Sequence, residues 1–355
     1  MATIIDVARL AGVSVSTVSH VVNGTRPVRP ATSDRVRAAV AAVGYSTDGV
    51  ARALRRAQTE CIGLVVTDTG QPGFAEMIRG VEGEATAAGF TLLLADSAED
   101  LERQLASVAA LVERRVDGLL LAQVSRTPRS LVESLVARGV RLVLIDRLST
   151  PDVDQVGVET IEPMKTLVRH LIDRGHTRIA LIAGDDAIPT LRERREGYVE
   201  AMVETPDPDQ REAVAVEVTT PAEARAAVHG LFAAARPPTA LVAASQLIAV
   251  GTLQALADLK LRIPGDVAVA VFDDFPHADL FRPRLTSVVQ PNVAVGREAV
   301  RLLVRRIQDP RAAPRTIRLK AEIAHRESCG CPPGAPVARA DMPAPDPPPF
   351  DPPAT

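Results

Sequence analysis

Val15, Ser16, Thr17, Ser19 and His20 bring hydroxyls, a pair of branched methyls and an imidazole into one short stretch. Their chemistry is recognition, not bond breaking. Hydroxyls donate and accept, an imidazole N–H can donate to a guanine acceptor, and valine methyls can meet a thymine methyl. Such groups read a base edge only if a rigid element carries them into a groove, and the flanking residues supply that element. Thr3 and Asp6 have the spacing of a capping box, and Ile5, Val7, Ala8 and Leu10 give a first short helix an apolar side. Gly12 ends it, Ser14 caps a second helix, and Val18, Val21 and Val22 turn inward at helical spacing, which leaves the recognition set outside. Two short helices across a glycine turn have the geometry of a helix-turn-helix; an ordinary helical hairpin is the alternative. A loop from Gly24 to Pro30 and a third helix from about Ala31 to Val43, stopped by Gly44, close the head with Val36, Val40 and Val43.

The net charge of −3 divides unevenly, with +5 on residues 1–59 and −8 on the remainder. A small basic head on an acidic body concentrates phosphate attraction at one end. An apolar fraction of 46% over 355 residues suffices for two or three domains with real cores. Met1-Ala2-Thr3 leads straight into the first helix without a secretory leader, and no apolar run has the length of a membrane span, so a cytoplasmic location and no membrane partner are expected. Cys61, Cys329 and Cys331 form no metal-type double pair and have no evident histidine partners. Cys329-Gly330-Cys331 is therefore read as incidental, with no metal or cofactor expected. Phosphate-loop, His-Glu-x-x-His, Gly-x-Ser-x-Gly and Cys-x-x-Cys patterns are missing, and catalysis is not expected.

From Glu60 the pattern changes to short buried runs alternating with helical stretches. Cys61–Val66, Thr91–Leu94, Leu119–Ala122 and Leu142–Ile145 read as strands between helices over Phe74–Ala88, Leu101–Arg114 and Pro128–Arg138. The theme repeats with helices around Pro163–Arg174, Leu191–Met202, Ala222–Ala234 and Ile248–Leu259, and strands at Ile179–Ala183, Val214–Val218, Ala240–Ala243 and Val267–Val271. Two βαβ sets imply two parallel sheets wrapped by helices, with a ligand cleft beyond the carboxyl ends of their strands. Leu285–Val289, the helix Val293–Ile307 and the strand Thr316–Lys320 are expected to return to the first sheet. From Cys331 onward ten of 25 residues are proline and none is leucine or isoleucine, a composition that predicts a disordered tail.

Asp6-Val7-Ala8, Ala11-Gly12-Val13-Ser14, Thr17-Val18-Ser19 and Val22-Asn23 resemble the lactose/galactose/purine repressor (LacI/GalR) family of bacterial transcription regulators. The likeness continues through Gly44-Tyr45, Val50-Ala51-Arg52-Ala53-Leu54-Arg55 and Arg326-Glu327-Ser328. It implies an all-α helix-turn-helix head with a hinge helix and an α/β core of two parallel-sheet subdomains, periplasmic-binding-protein-like type I, between which the chain crosses three times. The expected boundaries are 1–46 for the head, 47–59 for the hinge, 60–328 for the core and 329–355 for the tail. Within the core, 60–160 plus 289–316 would form the first subdomain and 161–288 plus 317–328 the second.

The resemblance also assigns roles. Val15, Ser16 and His20 occupy positions that reach base edges, and Arg26 matches an arginine that also reaches DNA. Thr17, Asn23 and Tyr45 fall at phosphate contacts. Leu54 would wedge between base steps from the hinge helix, with Arg55 in the minor groove; a plain linker is the other reading. Two copies would bind a palindromic operator of roughly 14–18 base pairs with a central C–G step. The tail lacks the leucine heptad by which some members form tetramers, so a homodimer is expected.

For the small molecule, Phe74 matches a pocket-lining residue of the first subdomain. Asp146-Arg147, Thr190, Arg194, Thr219, Ser245-Gln246 and Asp273-Asp274 fall at the other cleft positions, with Arg194 and Asp273 as the main pair. A carboxylate facing a guanidinium can bracket vicinal hydroxyls. Gly73, Ile188 and Thr219 replace an aromatic, an arginine and a phenylalanine of the purine-binding members. The implied effector is therefore a sugar or sugar derivative, with a purine, or no effector, as alternatives. Gln246, where many members have Asp or Asn, departs from a standard sugar site. His176 is assigned to a structural turn.

Overall fold

The computed structural model describes residues 2–23, 26–44, 58–149, 152–203, 214–215 and 218–332. Tyr45, Leu54, Arg55 and the tail beyond Pro332 lie outside the described residues. The chain divides into two units, Met1–Glu60 and Cys61–Thr355, each treated by itself.

In the head, Thr3 Oγ1 accepts from the Asp6 N–H at 3.4 Å while the Asp6 carboxylate accepts from the Thr3 N–H at 2.9 Å, so the expected capping box opens α1 (Ile4–Ala11). Gly12, at φ +63°, stops it in the left-handed region that glycine enters without a Cβ penalty. Ser14 Oγ accepts from the Thr17 N–H at 3.2 Å at the start of α2 (Val15–Asn23). The chain bends by 103° between these helices, within the helix-turn-helix range. α3 (Pro30–Val43) starts on Pro30 and ends at Gly44, and Val7, Val18 and Val36 are fully buried among the three helices. The apolar stripe of α1 runs Ile4, Val7, Ala8, Ala11. Ile5 and Leu10, expected inside, are each 57% exposed, because both sit off that stripe.

The core contains two six-stranded sheets. The first takes β1 (Cys61–Val66), β2 (Thr91–Asp96), β3 (Gly118–Leu121), β4 (Leu142–Ile145), β5 (Asp154–Val158) and β11 (Thr316–Leu319), in the order β11-β5-β4-β3-β1-β2 and parallel throughout. The second takes β6 (Ile179–Ile182), β7 (Val214–Ala215), β8 (Ala240–Ala243), β9 (Ala268–Phe272), β10 (Thr286–Val289) and β12 (Glu322–Ala324), in the order β12-β10-β9-β8-β6-β7. Only the β10/β12 pair is antiparallel. Helices α4 (Pro72–Ala87), α5 (Leu101–Glu113), α6 (Arg129–Ala137) and α11 (Asn292–Gln308) serve the first sheet. α7 (Ile161–Asp173), α8 (Pro189–Met202), α9 (Pro221–Ala233) and α10 (Gln246–Asp258) serve the second. Strand membership makes the chain cross between subdomains three times, after β5, β10 and β11.

Two expectations are corrected here. Leu285–Val289 does not return to the first sheet: Thr286–Val288 pairs with Ala270–Phe272, and the Thr286 N–H donates to Ser328 Oγ at 2.8 Å. The crossing follows at Gln290-Pro291. The strand Thr316–Lys320 does return to the first sheet, but it runs past the expected subdomain limit of 316: Ile317 and Leu319 register with Val156 and Val158, so the final crossing falls at Lys320-Ala321. A short strand followed by a helix looks alike in either sheet; only distant hydrogen bonds decide. β5 escaped the search for apolar runs because it opens on Asp154, which is 1% exposed and neutralised by Arg306 Nε at 2.6 Å.

Close packing between α4 and α11 depends on glycine. A Cβ at Gly80 would lie 2.1 Å from the Val293 carbonyl oxygen, and one at Gly296 would lie 2.2 Å from that of Met77. Among the described residues no single helix is long and apolar enough to cross a membrane.

Candidate functional site

On the head, Val15 is 42% exposed and Ser16 is exposed, while Thr17 and His20 are half-buried along α2. Ser14 Oγ lies 2.8 Å from both Ser16 Oγ and Thr17 Oγ1, so the cap also orders the first-turn hydroxyls. Asn23 closes α2, and Arg26 is exposed in the loop beyond it. The first turn of α2 offers methyl and hydroxyl groups at a helix N-terminus, where the backbone N–H groups point outward. That surface can meet phosphates and base edges.

In the core, the polar groups gather past the carboxyl ends of the strands. Asp146-Arg147 follow β4, Asp273-Asp274 follow β9, and Ser245-Gln246 follow β8. Asp146 and Asp273 both have left-handed backbones, φ +69° and +79°, a region in which aspartate is enriched. Arg194, in the second turn of α8, is 5% exposed. It donates to the Ala244 carbonyl at 2.7 Å and to the two Asp273 carboxylate oxygens at 2.9 and 3.4 Å, with its guanidinium 3.9 Å from the centre of the Phe272 ring. Gln290 Nε2 also donates to Asp273.

Across from this pair, Arg147 is held by both oxygens of Glu99, at 2.6 and 3.0 Å, and by the Gln123 carbonyl at 2.9 Å. Burial pushes the Asp146 carboxyl above the usual carboxylate range. The Arg147 and Arg194 guanidinium groups work against that shift, and the Asp273 and Glu99 charges reinforce it. Asp146 thus feels charges from both subdomains. The Nε atoms of Arg147 and Arg194 are buried without a hydrogen-bond acceptor among the described residues. The Arg147 and Arg194 guanidinium groups beside the Asp146 and Asp273 carboxylates form a set that can bracket hydroxyls, since a hydroxyl accepts from one group and donates to the other.

Other expected residues stand differently. Phe74, in the first turn of α4, is 7% exposed and packs into the first-sheet core. Thr190 is half-buried in the first turn of α8. Ser245 caps α10, accepting from the Ile248 N–H at 3.3 Å, and Gln246 Nε2 donates to the Asp274 carbonyl. Thr219 is exposed, and its N–H and hydroxyl bond to Glu223 in the cap of α9. Asp274 is taken up by a two-pronged pair with Arg326, at 2.7 and 2.8 Å, which anchors the last segment to β9. His176 Nδ1 lies 3.2 Å from Thr239 Oγ1, tying the turn before β6 to β8. Glu99 and Gln290, the partners of Arg147 and Asp273, were not foreseen; each comes from a strand-end loop with no local motif to mark it. The strap of Glu193 on α8 to Arg318 on β11, at 2.7 and 2.9 Å across the subdomains, was also unforeseen.

Comparison with known proteins agrees with this construction. Residues 3–48 match the model of bacterial regulatory proteins of the lacI family, and residues 168–329 that of periplasmic binding protein-like domains. The HTH-type transcriptional repressor PurR of Pectobacterium carotovorum subsp. carotovorum (strain PC1) is 35% identical over 330 residues, spanning 92% of this chain and 97% of that protein. Its counterpart in Yersinia pestis bv. Antiqua (strain Antiqua) is 36% identical over 331 residues, with the same shares covered. Among solved structures, a complex of the transcriptional regulator CelR with cellobiose is 32% identical, with a TM-score of 0.69 over 92% of this chain and all of that one. The Lac repressor dimer bound to operator and the anti-inducer ONPF shares the fold, at TM-score 0.83 and 23% identity, over 92% of this chain and 99% of that one. A helix-turn-helix head joined to a two-subdomain cleft protein, matched over nearly its whole length by repressors, places this chain in the LacI family of DNA-binding, effector-regulated transcriptional repressors.

Proposed function

We propose that the protein represses its target genes as a cytoplasmic homodimer on a palindromic operator, and that a sugar or sugar derivative in the core cleft controls it. The effector reading rests on the cleft polarity: Asp146 and Asp273 carboxylates beside the Arg147 and Arg194 guanidinium groups, drawn from both subdomains. Vicinal hydroxyls satisfy such a set; a flat base needs a stacking face, and the Phe74 ring is packed in the core. The CelR structure with cellobiose supports a sugar, whereas the PurR relatives favour a purine. Val15, Ser16 and His20 would read base edges, Arg26 would assist from its loop, and Thr17, Asn23 and Tyr45 would hold phosphates. Leu54 and Arg55 would act from the hinge in the minor groove. The acidic core and basic head agree with a protein that meets DNA at one end. Exposed Leu94 on edge strand β2 and Leu280 supply apolar surface for a second copy to cover.

The effector acts by linkage, since it shifts DNA affinity only as far as it prefers one core conformation over another. A thermal-shift screen against sugars, sugar phosphates, polyols and nucleobases tests the reading. Binding to the folded core raises the melting temperature by mass action. The expected result is stabilisation by a sugar that is lost in Arg194→Ala. Stabilisation by purine nucleobases alone would replace the sugar with a purine, and no stabilisation by any compound would leave only the DNA-binding half of the reading.

A further inference from the structure

His170, His325, Cys329 and Cys331 come together although the two ends of the cluster lie 161 positions apart in the chain. His170 stands in the last turn of α7, His325 directly follows β12, and Cys329 ends the turn Glu327–Cys329. His170 Nε2 lies 3.2 Å from Cys329 Sγ and 3.4 Å from Cys331 Sγ, and the two sulfurs are 3.3 Å apart. The His325 ring packs on that of His170, centroids 4.3 Å apart, and donor atoms of His170, His325 and Cys331 all lie within 4.8 Å of one another. Among the described residues, His325 Nδ1 is buried without a hydrogen-bond partner. Gly330, at φ +84°, supplies the left-handed turn that brings the flanking sulfurs together, and Arg174 clamps its carbonyl.

We propose that these residues form a binding site for a divalent ion of the zinc type, with His170, His325 and Cys331 as ligands and Cys329 as the fourth donor. Tetrahedral coordination at ordinary Zn–S and Zn–N lengths needs sulfurs about 3.8 Å apart and sulfur–nitrogen distances of about 3.6 Å. The separations among His170 and the two sulfurs, 3.2, 3.4 and 3.3 Å, fall short by no more than about half an ångström, within the reach of side-chain rotation. Two thiolates and two imidazoles match the softness of zinc and leave no net charge on the filled site. As each sulfur–metal bond forms, the thiol proton passes to solvent. Thr286 Oγ1, donating to Cys329 Sγ at 3.0 Å, orients that donor as an outer-shell group does. The ion would join α7 to the segment that follows β12. This site is separate from the effector cleft and independent of the sugar reading.

The test uses the full-length protein, reduced and stripped with a chelator, then titrated with Co²⁺. The expected result is one ion per chain, with a thiolate-to-cobalt charge-transfer band and the strong visible absorption of a tetrahedral site, both displaced by Zn²⁺. Cys331→Ser should abolish the charge-transfer band or reduce it to that of a single thiolate. His325→Asn should weaken Co²⁺ binding by more than the roughly 10–100-fold that outer-shell changes cause. Cys61→Ser should leave binding unchanged. Zn²⁺ should raise the melting temperature of the wild type and not of Cys331→Ser, a readout that remains usable if the His325 variant folds poorly. The proposal is overturned if reduced, folded protein takes up no Co²⁺, or if Cys331→Ser and His325→Asn bind it as the wild type does. A Cys329–Cys331 disulfide whose reduction restores no metal binding would likewise overturn it, and the pair would then be a redox element.

Discussion

Replacing Arg194 by Met keeps a stem over Phe272 but strands Asp273. The wild-type guanidinium makes three bonds, at 2.7 Å to Ala244 and at 2.9 and 3.4 Å to Asp273, and its side chain is 6% exposed against 24% for the carboxylate. Removing one partner of a buried ion pair costs about 3–5 kcal/mol. Because Asp273 is partly open to water and keeps Gln290, the lower end applies, about 3 kcal/mol. At about 2–4 °C per kcal/mol for a domain of roughly this size, the core should melt about 6–12 °C lower. Asp273→Asn retains the shape and an acceptor and should cost about 1–2 kcal/mol. The double variant should be about 1–2 kcal/mol more stable than the sum of the single effects implies, because neither charge is then left without its partner. Urea unfolding of the core, followed by circular dichroism for the wild type and the three variants, measures each quantity. Additivity within about 0.5 kcal/mol would refute the claim that the pair acts as a coupled unit.

Further outcomes follow from other contacts. Asp146→Asn removes a carboxyl whose pKa burial raises. The folded wild type binds more protons than the unfolded chain between the ordinary carboxylate pKa and that raised value, so its stability falls as pH rises through this window. The Asn variant should lack that fall when unfolding is measured across pH. Glu193 behaves in the opposite sense: burial opposes ionisation, but hydrogen bonds from Arg318 and Thr160 outweigh it and hold the carboxyl below the usual range. Its contribution is present above the unfolded glutamate pKa and lost as pH falls through the lowered value, so Glu193→Gln should flatten the acid limb of the stability curve. Val18→Ala empties space at the fully buried centre of a three-helix head and should cost about 1–3 kcal/mol. Calorimetry should then show a head transition at lower temperature and an unchanged core transition. If His20 reads a base, His20→Ala should relax preference at one operator position by about 1–3 kcal/mol. Arg26→Ala, which removes a loop charge that reaches DNA, should weaken operator binding and reduce the salt slope by about one. Selection from a random-site library, repeated at two salt concentrations, separates the two effects, and an unchanged base preference in the His20 variant would refute its assignment.

What depends on neighbouring residues was legible in the amino-acid sequence. The Thr3/Asp6 box, the Gly12 and Gly44 stops and the valines of α2 and α3 all act within a few positions, and the structure keeps them. The alternation of apolar runs and helical stretches likewise revealed two parallel sheets, because the central strands bury both faces, although edge strand β2 is left part-exposed. Arg194 and Asp273 were readable through their resemblance to the family, and the structure brings them into contact. Tertiary structure alone decided that β10 belongs to the second sheet, since strands of similar composition differ only in the distant partners that satisfy their backbone groups. It also showed that buried polar residues can build a strand, as Asp154 does by pairing with Arg306 across 152 positions. The same holds for Asp274, whose carboxylate closes on Arg326, and for the two histidines that meet Cys329 and Cys331. Short-range geometry is written in sequence spacing, whereas the pairing of buried charges and donors depends on which surfaces the completed fold presses together.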